Sequence, residues 1–357
     1  MIVTRVELRN FRNYAQASFE LNAGVTAVVG SNGQGKTNLV EALGYLATLD
    51  SFRGAPGEAL VKVGADQAVI RAQITAEDRE VLIELSIAST GRSKVLVNKQ
   101  PLRRTRDLLG VMRVTVFSPD DLAVIKEGPA VRRRFMDDTL VALAVKYDAM
   151  RLELERVLRQ RNTLLKNLNG RLNDDALFTL DVWDAKFAEL GDRFGLARAT
   201  LVAKLAPMVT EAYEQLAGQT TPIELRYEPG WRARGLANAL AESRAADVRR
   251  GVSTVGPHRD DVELFLRGMP ARIQASQGEQ RSLALALRLA AHRLVTERAG
   301  STPLLVLDDV LSELDPQRAA ALLTHLPPGQ VVLTTASDLP ASAAPDVVQR
   351  IHNGSIV

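Results

Sequence analysis

Eight residues, Gly30-Ser31-Asn32-Gly33-Gln34-Gly35-Lys36-Thr37, constrain this chain more than any other feature. They satisfy the pattern G-x-x-x-x-G-K-[ST], and their surroundings are the ones that pattern needs. The run Val25–Val29 leads in as a short buried strand, and Asn38–Ala47 leads out with helical patterning. A glycine loop between a strand and a helix turns successive backbone N–H groups inward around a phosphate, and the helix dipole favours that anion. Lys36 then reaches the β- and γ-oxygens of a nucleoside triphosphate, and the Thr37 hydroxyl ligates Mg²⁺. Gly30, Ser31, Asn32, Gly33, Gln34, Gly35, Lys36, Thr37 and Asn38 are the candidate nucleotide contacts. A glycine-rich turn with a solvated lysine is the bland alternative, and the strand–loop–helix order argues against it.

Leu304-Leu305-Val306-Leu307 delivers two carboxylates, Asp308 and Asp309, at the end of a second buried strand. Asp308 is the candidate Mg²⁺ ligand, through water, and Asp309 the residue that orients or deprotonates the attacking water. Either carboxylate alone could be an ordinary helix cap. Paired with the loop the two become a site, because loop and carboxylate each need the other to hold Mg²⁺. A third element, Ala275-Ser276-Gln277-Gly278-Glu279-Gln280-Arg281, opens a long helix running to about Thr296. Ser276 and Gly278 fall where a helix N-terminus exposes unpaired N–H groups, an anion site. Ser276 with Glu279 three residues on is also a plain capping box.

Composition removes other chemistries. With Cys 0 there are no disulfides, thiolate metal sites or cysteine nucleophiles, and the four His have no metal-helix spacing, so a zinc enzyme is not expected. No apolar run reaches the roughly 18 residues of a membrane span, and charges at Arg5, Glu7, Arg9 and Arg12 leave no signal peptide, so a soluble cytoplasmic protein without a membrane partner is expected. The net charge of +3 does not by itself identify a nucleic-acid binder.

Strand patterning marks Val3–Leu8, Ala17–Leu21, Val69–Thr75, Val81–Ile87 and Lys94–Val97, which suggests an antiparallel sheet beside a parallel one. From Ser118 the period becomes helical: Val131–Leu168, then Leu177–Leu190 and Phe194–Leu216 separated by a breaker at Gly191. Strands return at Glu263–Leu266 and Val331–Thr334, and Asn353-Gly354 predicts a terminal hairpin within Val347–Val357. The expected organisation is a discontinuous nucleotide-binding domain, 1–117 and 251–357, with a helical arm at 118–250.

Ser276–Arg281 before an acidic strand resembles the signature motif of the ABC-type ATPases, and Ser312-Glu313-Leu314-Asp315 is similar to their D-loop. Five stretches together narrow the likeness: Leu8–Tyr14, Phe117–Asp121, Gly256-Pro257-His258-Arg259-Asp260-Asp261, Gln277–Arg281 and Asp308–Asp315. Jointly they resemble the RecF family, bacterial recombination mediators related to SMC proteins. The resemblance implies an α/β fold, a P-loop ABC/SMC-type ATPase head with mixed sheets and an inserted helical lobe. It implies that Ser276, Gly278 and Glu279 close over the nucleotide of a neighbouring subunit, and it carries Arg12 over as a nucleotide contact. It further implies ATP and Mg²⁺ as cofactors, an ATP-dependent homodimer, slow DNA-stimulated hydrolysis, and binding to gapped duplex or single-strand/duplex junctions. RecR, and through it RecO, would be partners in RecA loading, repair, replication restart and SOS induction. The chain departs from the ABC pattern in three places: Thr335 stands where the switch His would be, Asp309 replaces a Glu, and Ser118–Asp121 takes the Q-loop position without a Gln.

For DNA the residues offer a basic stretch from Lys126 to Arg171, with Lys126, Arg132, Arg156 and Arg159 as candidate phosphate contacts. A solvated helix face is the competing reading. Aromatics are 4% of the chain and not interleaved with this stretch, so base stacking is not supported. Two other functions compete: the ATP-binding subunit of a transporter, and a small-molecule kinase built on the same loop.

Overall fold

The computed structural model describes residues 1–76, 79–171, 173–337 and 339–356. An antiparallel hairpin of β1 (Ile2–Phe11) and β2 (Tyr14–Glu20) opens the chain, burying Val3, Val6, Leu8 and Phe11. The buried strand β3 (Val25–Val29) and helix α1 (Lys36–Thr48) follow, joined by the glycine loop. Alternating apolar residues then form β4 (Gln67–Ala76), β5 (Arg79–Ala88) and β6 (Lys94–Val97), with the short β7 (Gln100–Pro101). These strands extend the hairpin into a sheet of order β2-β1-β4-β5-β6-β7. β8 (Val114–Phe117) belongs elsewhere, to the parallel sheet completed near the C-terminus.

The helical stretch begins with α2 (Ala123–Lys126), α3 (Pro129–Leu143) and α4 (Lys146–Asn167). The sequence pattern Val131–Leu168 is thus two helices, broken where Ala144 adopts an extended backbone. The next helix, α5 (Asp174–Ala217), is continuous through both Gly191 and Pro207, against the break expected at Gly191. Tertiary packing explains that glycine. A Cβ on Gly191 would lie 2.2 Å from Leu236 Cδ2, and one on Gly195 2.5 Å from the Trp231 ring. Both glycines therefore serve close approach, and the helix tolerates their propensity cost.

β9 (Ile223–Arg226) precedes α6 (Leu236–Arg250), and β10 (Glu263–Leu266) with β11 (Met269–Pro270) completes a three-stranded sheet of order β11-β10-β9. After the single turn α7 (Ala271–Gln274) come α8 (Gln277–Ala299), the fully buried β12 (Leu304–Asp308), α9 (Pro316–Thr324) and the fully buried β13 (Val331–Thr335). β14 (Val347–His352) and β15 (Ser355–Ile356) form the terminal hairpin around Asn353-Gly354, with Val357 outside the described residues. The second large sheet has the order β15-β14-β3-β13-β12-β8 and is parallel from β14 to β8.

The chain divides into two compact units. One contains Met1–Leu122, Glu211–Thr220 and Ser276–Val357; the other contains Ala123–Thr210 and Thr221–Ala275. The expected boundary at 250/251 is therefore displaced to 275/276. The segment 251–275 stays with the helices because β10 pairs with β9, and Asp260 and Asp261 are bound inside that unit. Asp260 accepts hydrogen bonds from Tyr227 (2.5 Å) and Trp231 (2.7 Å), and Asp261 pairs with Arg132. The same unit is tied by Arg161, wholly buried, which donates to Asp184 (2.6 Å) and Asp247 (2.8 Å) and so joins α4, α5 and α6.

Candidate nucleotide site

Strand order builds the site. β13 lies between β3 and β12 in parallel register, with Thr334 opposite both Val28 and Asp308. The glycine loop after β3 and the carboxylates of β12 therefore emerge at the same carboxyl edge of the sheet, the usual place for ligands in parallel sheets.

Within the loop, Gly33 and Gly35 have φ of 80° and 121°, backbone that side chains other than glycine rarely adopt. Gly35 also faces Tyr14, whose Oη would lie 2.7 Å from an added Cβ. Ser31, Asn32 and Gly33 are exposed at the rim, while Gly35 and Lys36 are buried. The Lys36 ammonium folds back across the loop, donating to the carbonyls of Gly30 (2.6 Å) and Ser31 (3.1 Å). Burial pushes its pKa down, and Asp309 and Asp308 oppose that shift. The loop is held from outside by two residues of the first hairpin. Asn13 Nδ2 donates to the Gln34 carbonyl (3.0 Å), and Tyr14 Oη donates to the Gly35 carbonyl (2.8 Å). Asn38 Nδ2 in turn donates to Asn13 Oδ1 (2.7 Å), so its amide braces the loop.

On the acidic side, Asp308 is 3% exposed and its Oδ1 accepts from Thr334 Oγ1 at 2.6 Å. Burial raises its pKa, offset in part by hydrogen bonds from Thr334 and Thr37 and by the Lys36 charge. Thr37 thus lies within interaction range of Asp308. Asp309 has φ of 53°, held by its N–H bonding to the Thr334 carbonyl and hydroxyl, both at 3.1 Å. Its Oδ1 is buried and has no hydrogen-bond partner among the described residues. The Thr37 hydroxyl, Asp308 and this orphaned oxygen form a hard donor set, poor in carboxylates. No cluster of three or more His, Cys, Asp or Glu able to cage a metal occurs among the described residues. Such a set fits Mg²⁺ shared with phosphate oxygens and water.

Ser276 caps α8 with a complete capping box: its Oγ accepts from Glu279 N–H (3.3 Å), and its own N–H donates to Glu279 Oε2 (2.8 Å). Ser276 and Gln277 are exposed. Arg281 of the same helix pairs with Glu313 at 2.6 Å, linking the signature-like segment to the stretch after the acidic pair. Ser118–Asp121 follows β8, which runs beside β12; Asp121 accepts from Ser118 N–H and from Arg288 of α8, both at 2.8 Å. Thr335, in the place of a switch imidazole, is buried and bonded to Ser337.

Two candidate arginines already have carboxylate partners in the structure. The Arg12 guanidinium is engaged within the chain. Nε and Nη2 both donate to the wholly buried Glu41 carboxylate at 2.7 Å, and Nη1 donates to the Ala59 carbonyl. It braces α1 against the first hairpin. Arg132 is 5% exposed and forms a two-pronged pair with Asp261, both bonds 2.7 Å, so its charge is already matched by that carboxylate. Lys126, Arg156 and Arg159 are exposed, and Lys166 continues the exposed basic stripe of α4. Sequence reasoning missed Asn13, Tyr14, Glu41 and Thr334 as site residues. The first two lay inside a recognised stretch, whereas Thr334 carries no local signal beyond ending a buried strand.

Comparison with known proteins follows the same lines. The family model for the RecF/RecN/SMC N terminal domain matches residues 2–349. The DNA replication and repair protein RecF of Streptomyces avermitilis is 45% identical over 354 residues, covering 94% of each chain. The solved structure of the recombination mediator protein RecF-ATP in the RecFOR pathway is 31% identical, with a TM-score of 0.90 over 99% of this chain and 96% of that one. Its RecF-ATPrS counterpart is 30% identical, with a TM-score of 0.90 over 99% and 97%. An SMC head bound to the C-winged helix domain of ScpA, 17% identical with a TM-score of 0.60 over 100% and 96%, shares the fold. With that model spanning nearly its whole length and that identity to a curated relative, the chain belongs to the RecF family.

Proposed function

We propose that this protein is an ATP-switched, DNA-binding recombination mediator of replication and repair, a dimer when ATP is bound. The observation that carries the reading is the convergence of Lys36, Thr37, Asp308 and Asp309 on one carboxyl edge of the parallel sheet, organised by Thr334. Solved relatives of 30% and 31% identity are named as RecF with ATPrS and ATP in the RecFOR pathway, which supports ATP as the ligand here and RecR and RecO as partners. Neither a transporter subunit nor a small-molecule kinase has that support.

On nucleotide binding, Lys36 exchanges the Gly30 and Ser31 carbonyls for β- and γ-phosphate oxygens, and the loop N–H groups bind the β-phosphate. Thr37 and Asp308 would hold Mg²⁺, which would supply neutralisation of phosphate charge. Asp309 orients the water whose oxygen attacks the γ-phosphorus. The bond to the β–γ bridging oxygen breaks, its electron pair leaves with ADP, and the water proton passes to the Asp309 carboxylate. The exposed Ser276 end of α8 closes over the γ-phosphate of a second copy. No imidazole occupies the Thr335 position, so hydrolysis is slow and works as a timer, accelerated by DNA. Lys126, Arg156 and Arg159 contact DNA phosphates at a gapped duplex or junction, without reading bases. The protein acts in the cytoplasm.

Sedimentation velocity with and without ATP–Mg²⁺ and a gapped duplex tests this reading. A dimer that needs ATP and is reinforced by the duplex is expected. A monomer under all conditions would overturn it.

A further inference from the structure

Two arginines flank the exposed end of α8, and they are held differently. Arg281 is bound at Glu313 twice, through the carboxylate (2.6 Å) and the main-chain carbonyl (3.1 Å). Arg318, in the first turn of α9, lies against Gly278 so closely that a Cβ there would sit 2.7 Å from Arg318 Nη1. Glycine at 278 thus makes room for a guanidinium alongside the signature-like segment. Among the described residues the single ion pair of Arg318 is with Asp315, at 2.8 Å, between side chains 29% and 44% exposed. A pair that exposed contributes little and is readily exchanged. Arg318 Nε and Nη2 make no hydrogen bond among the described residues.

The placement works against the dipoles. A cation in the first turn of α9, pressed against the N-terminal turn of α8, meets the positive ends of two helices. Glu279 is used in the α8 capping box and Glu313 in the Arg281 pair, so Arg318, held only by the exposed Asp315, is the cation here that can turn to a multiply charged anion. The wall of the chain's own site lacks a cation where the switch imidazole would stand, since Thr335 is buried there.

We propose that Arg318 is a catalytic residue acting in trans: in the ATP-bound dimer it leaves Asp315 and binds the γ-phosphate held by the phosphate loop of a second copy of this chain. The proposal rests on the reading that the Ser276 segment closes over a neighbour's nucleotide. Arg318 makes and breaks no covalent bond. It stabilises charge on the γ-phosphoryl oxygens while the attacking water adds and ADP leaves, as an arginine supplied across an interface does.

Mixed-dimer hydrolysis under single-turnover conditions tests it. Arg318→Ala is expected to bind ATP as the parent chain does, because its own phosphate loop is intact, yet to lose hydrolysis on the order of 10²-fold. Arg318→Lys should recover part of that loss. Lys36→Ala alone is inactive for want of nucleotide. Mixed together, the Arg318→Ala and Lys36→Ala chains should hydrolyse well above the sum of the two, because the mixed dimer joins an intact loop to an intact Arg318. A parallel mixture of Ser276→Arg with Lys36→Ala tests the underlying reading. Recovery there without recovery for Arg318→Ala would overturn the trans role of Arg318 and leave the closure reading standing. Recovery in neither mixture would overturn both. Parent-rate hydrolysis by Arg318→Ala alone would also overturn the proposal.

Discussion

Thr334 Oγ1 donates to Asp308 Oδ1 across 2.6 Å while accepting the Asp309 N–H at 3.1 Å. One hydroxyl on β13 therefore sets both carboxylates, and it does so from the strand that separates the acidic pair from the phosphate loop. Thr334→Val keeps the shape and removes the bond. A hydrogen bond to a charged acceptor is worth about 1.5 kcal/mol or more, roughly tenfold in an equilibrium. Mg²⁺-dependent ATP affinity should fall by about that factor, and Thr334→Ser should restore it. Calorimetric titration with and without Mg²⁺ measures this; equal affinities for the Val variant and the parent would deny Thr334 any part in the site.

Lys36→Ala removes a cation that is already dehydrated and aimed by two carbonyls. ATP affinity should drop on the order of 10²-fold, and ATP-driven dimerisation should vanish with it. Circular dichroism should be unchanged, since the freed carbonyls of Gly30 and Ser31 lie at an open loop. Nucleotide titration and sedimentation together check the claim, and unaltered binding would remove the loop from the site.

Asp309 and Asp308 should separate by phenotype. Asp309→Asn retains the shape around the orphaned Oδ1 position but no longer accepts a proton, so ATP stays bound and the dimer accumulates. Asp308→Asn weakens the Mg²⁺ position beside Thr37 and should lose Mg²⁺-dependent binding. Hydrolysis by Asp309→Asn at the parent rate would assign the water to another group.

The loop at Gly30–Thr37 and the pair Asp308-Asp309 were legible because their chemistry is local: strand, turn and helix, or strand and carboxylate, within a few residues. What long-range packing decides was not. Gly191 carries the propensity of a breaker, and Leu236 and Pro257, far along the chain, show that it is a contact point inside an unbroken α5. Arg132 counts as a basic charge until Asp261, 129 residues away, is seen to neutralise it. The boundary near 275 was hidden for the same reason, since nothing local in Glu263–Leu266 names β9 as its partner. Thr334 organises the site through a register that a strand pattern cannot specify.

His292 gives a pH test of folding. It is 1% exposed on α8, with Nδ1 3.0 Å from Thr115 Oγ1, and burial pushes its pKa from 6.5 to about 4. Between those values the unfolded chain binds a proton that the folded chain does not, so stability falls as pH drops below 6.5. The loss should be about 2 kcal/mol between pH 6.5 and 5, at about 1.4 kcal/mol per unit. His258, also pushed to about 4 by burial, adds to the same slope. His292→Gln should flatten the dependence of the urea midpoint over this range. An unchanged slope would place the titration elsewhere.

ATP and DNA should be coupled through the count of phosphates neutralised. α4 exposes Arg156, Arg159 and Lys166 on one stripe, and Arg159 is only loosely paired with Glu155 at 4.0 Å. One such stripe offers few phosphate contacts and binds weakly; an ATP dimer offers two to a single duplex and releases more counterions. DNA affinity should therefore rise with ATP, fall with salt more steeply when ATP is present, and change little with base sequence, because cations on phosphates carry no sequence information. By linkage, DNA must promote the ATP dimer as much as the dimer promotes DNA binding. Replacing Arg156 and Arg159 together should weaken all sequences about equally and reduce the salt slope, whereas Arg132→Ala should act on stability by stranding the Asp261 charge. Fluorescence anisotropy across a salt series reads both effects. Identical slopes with and without ATP would mean that the two stripes never share one duplex.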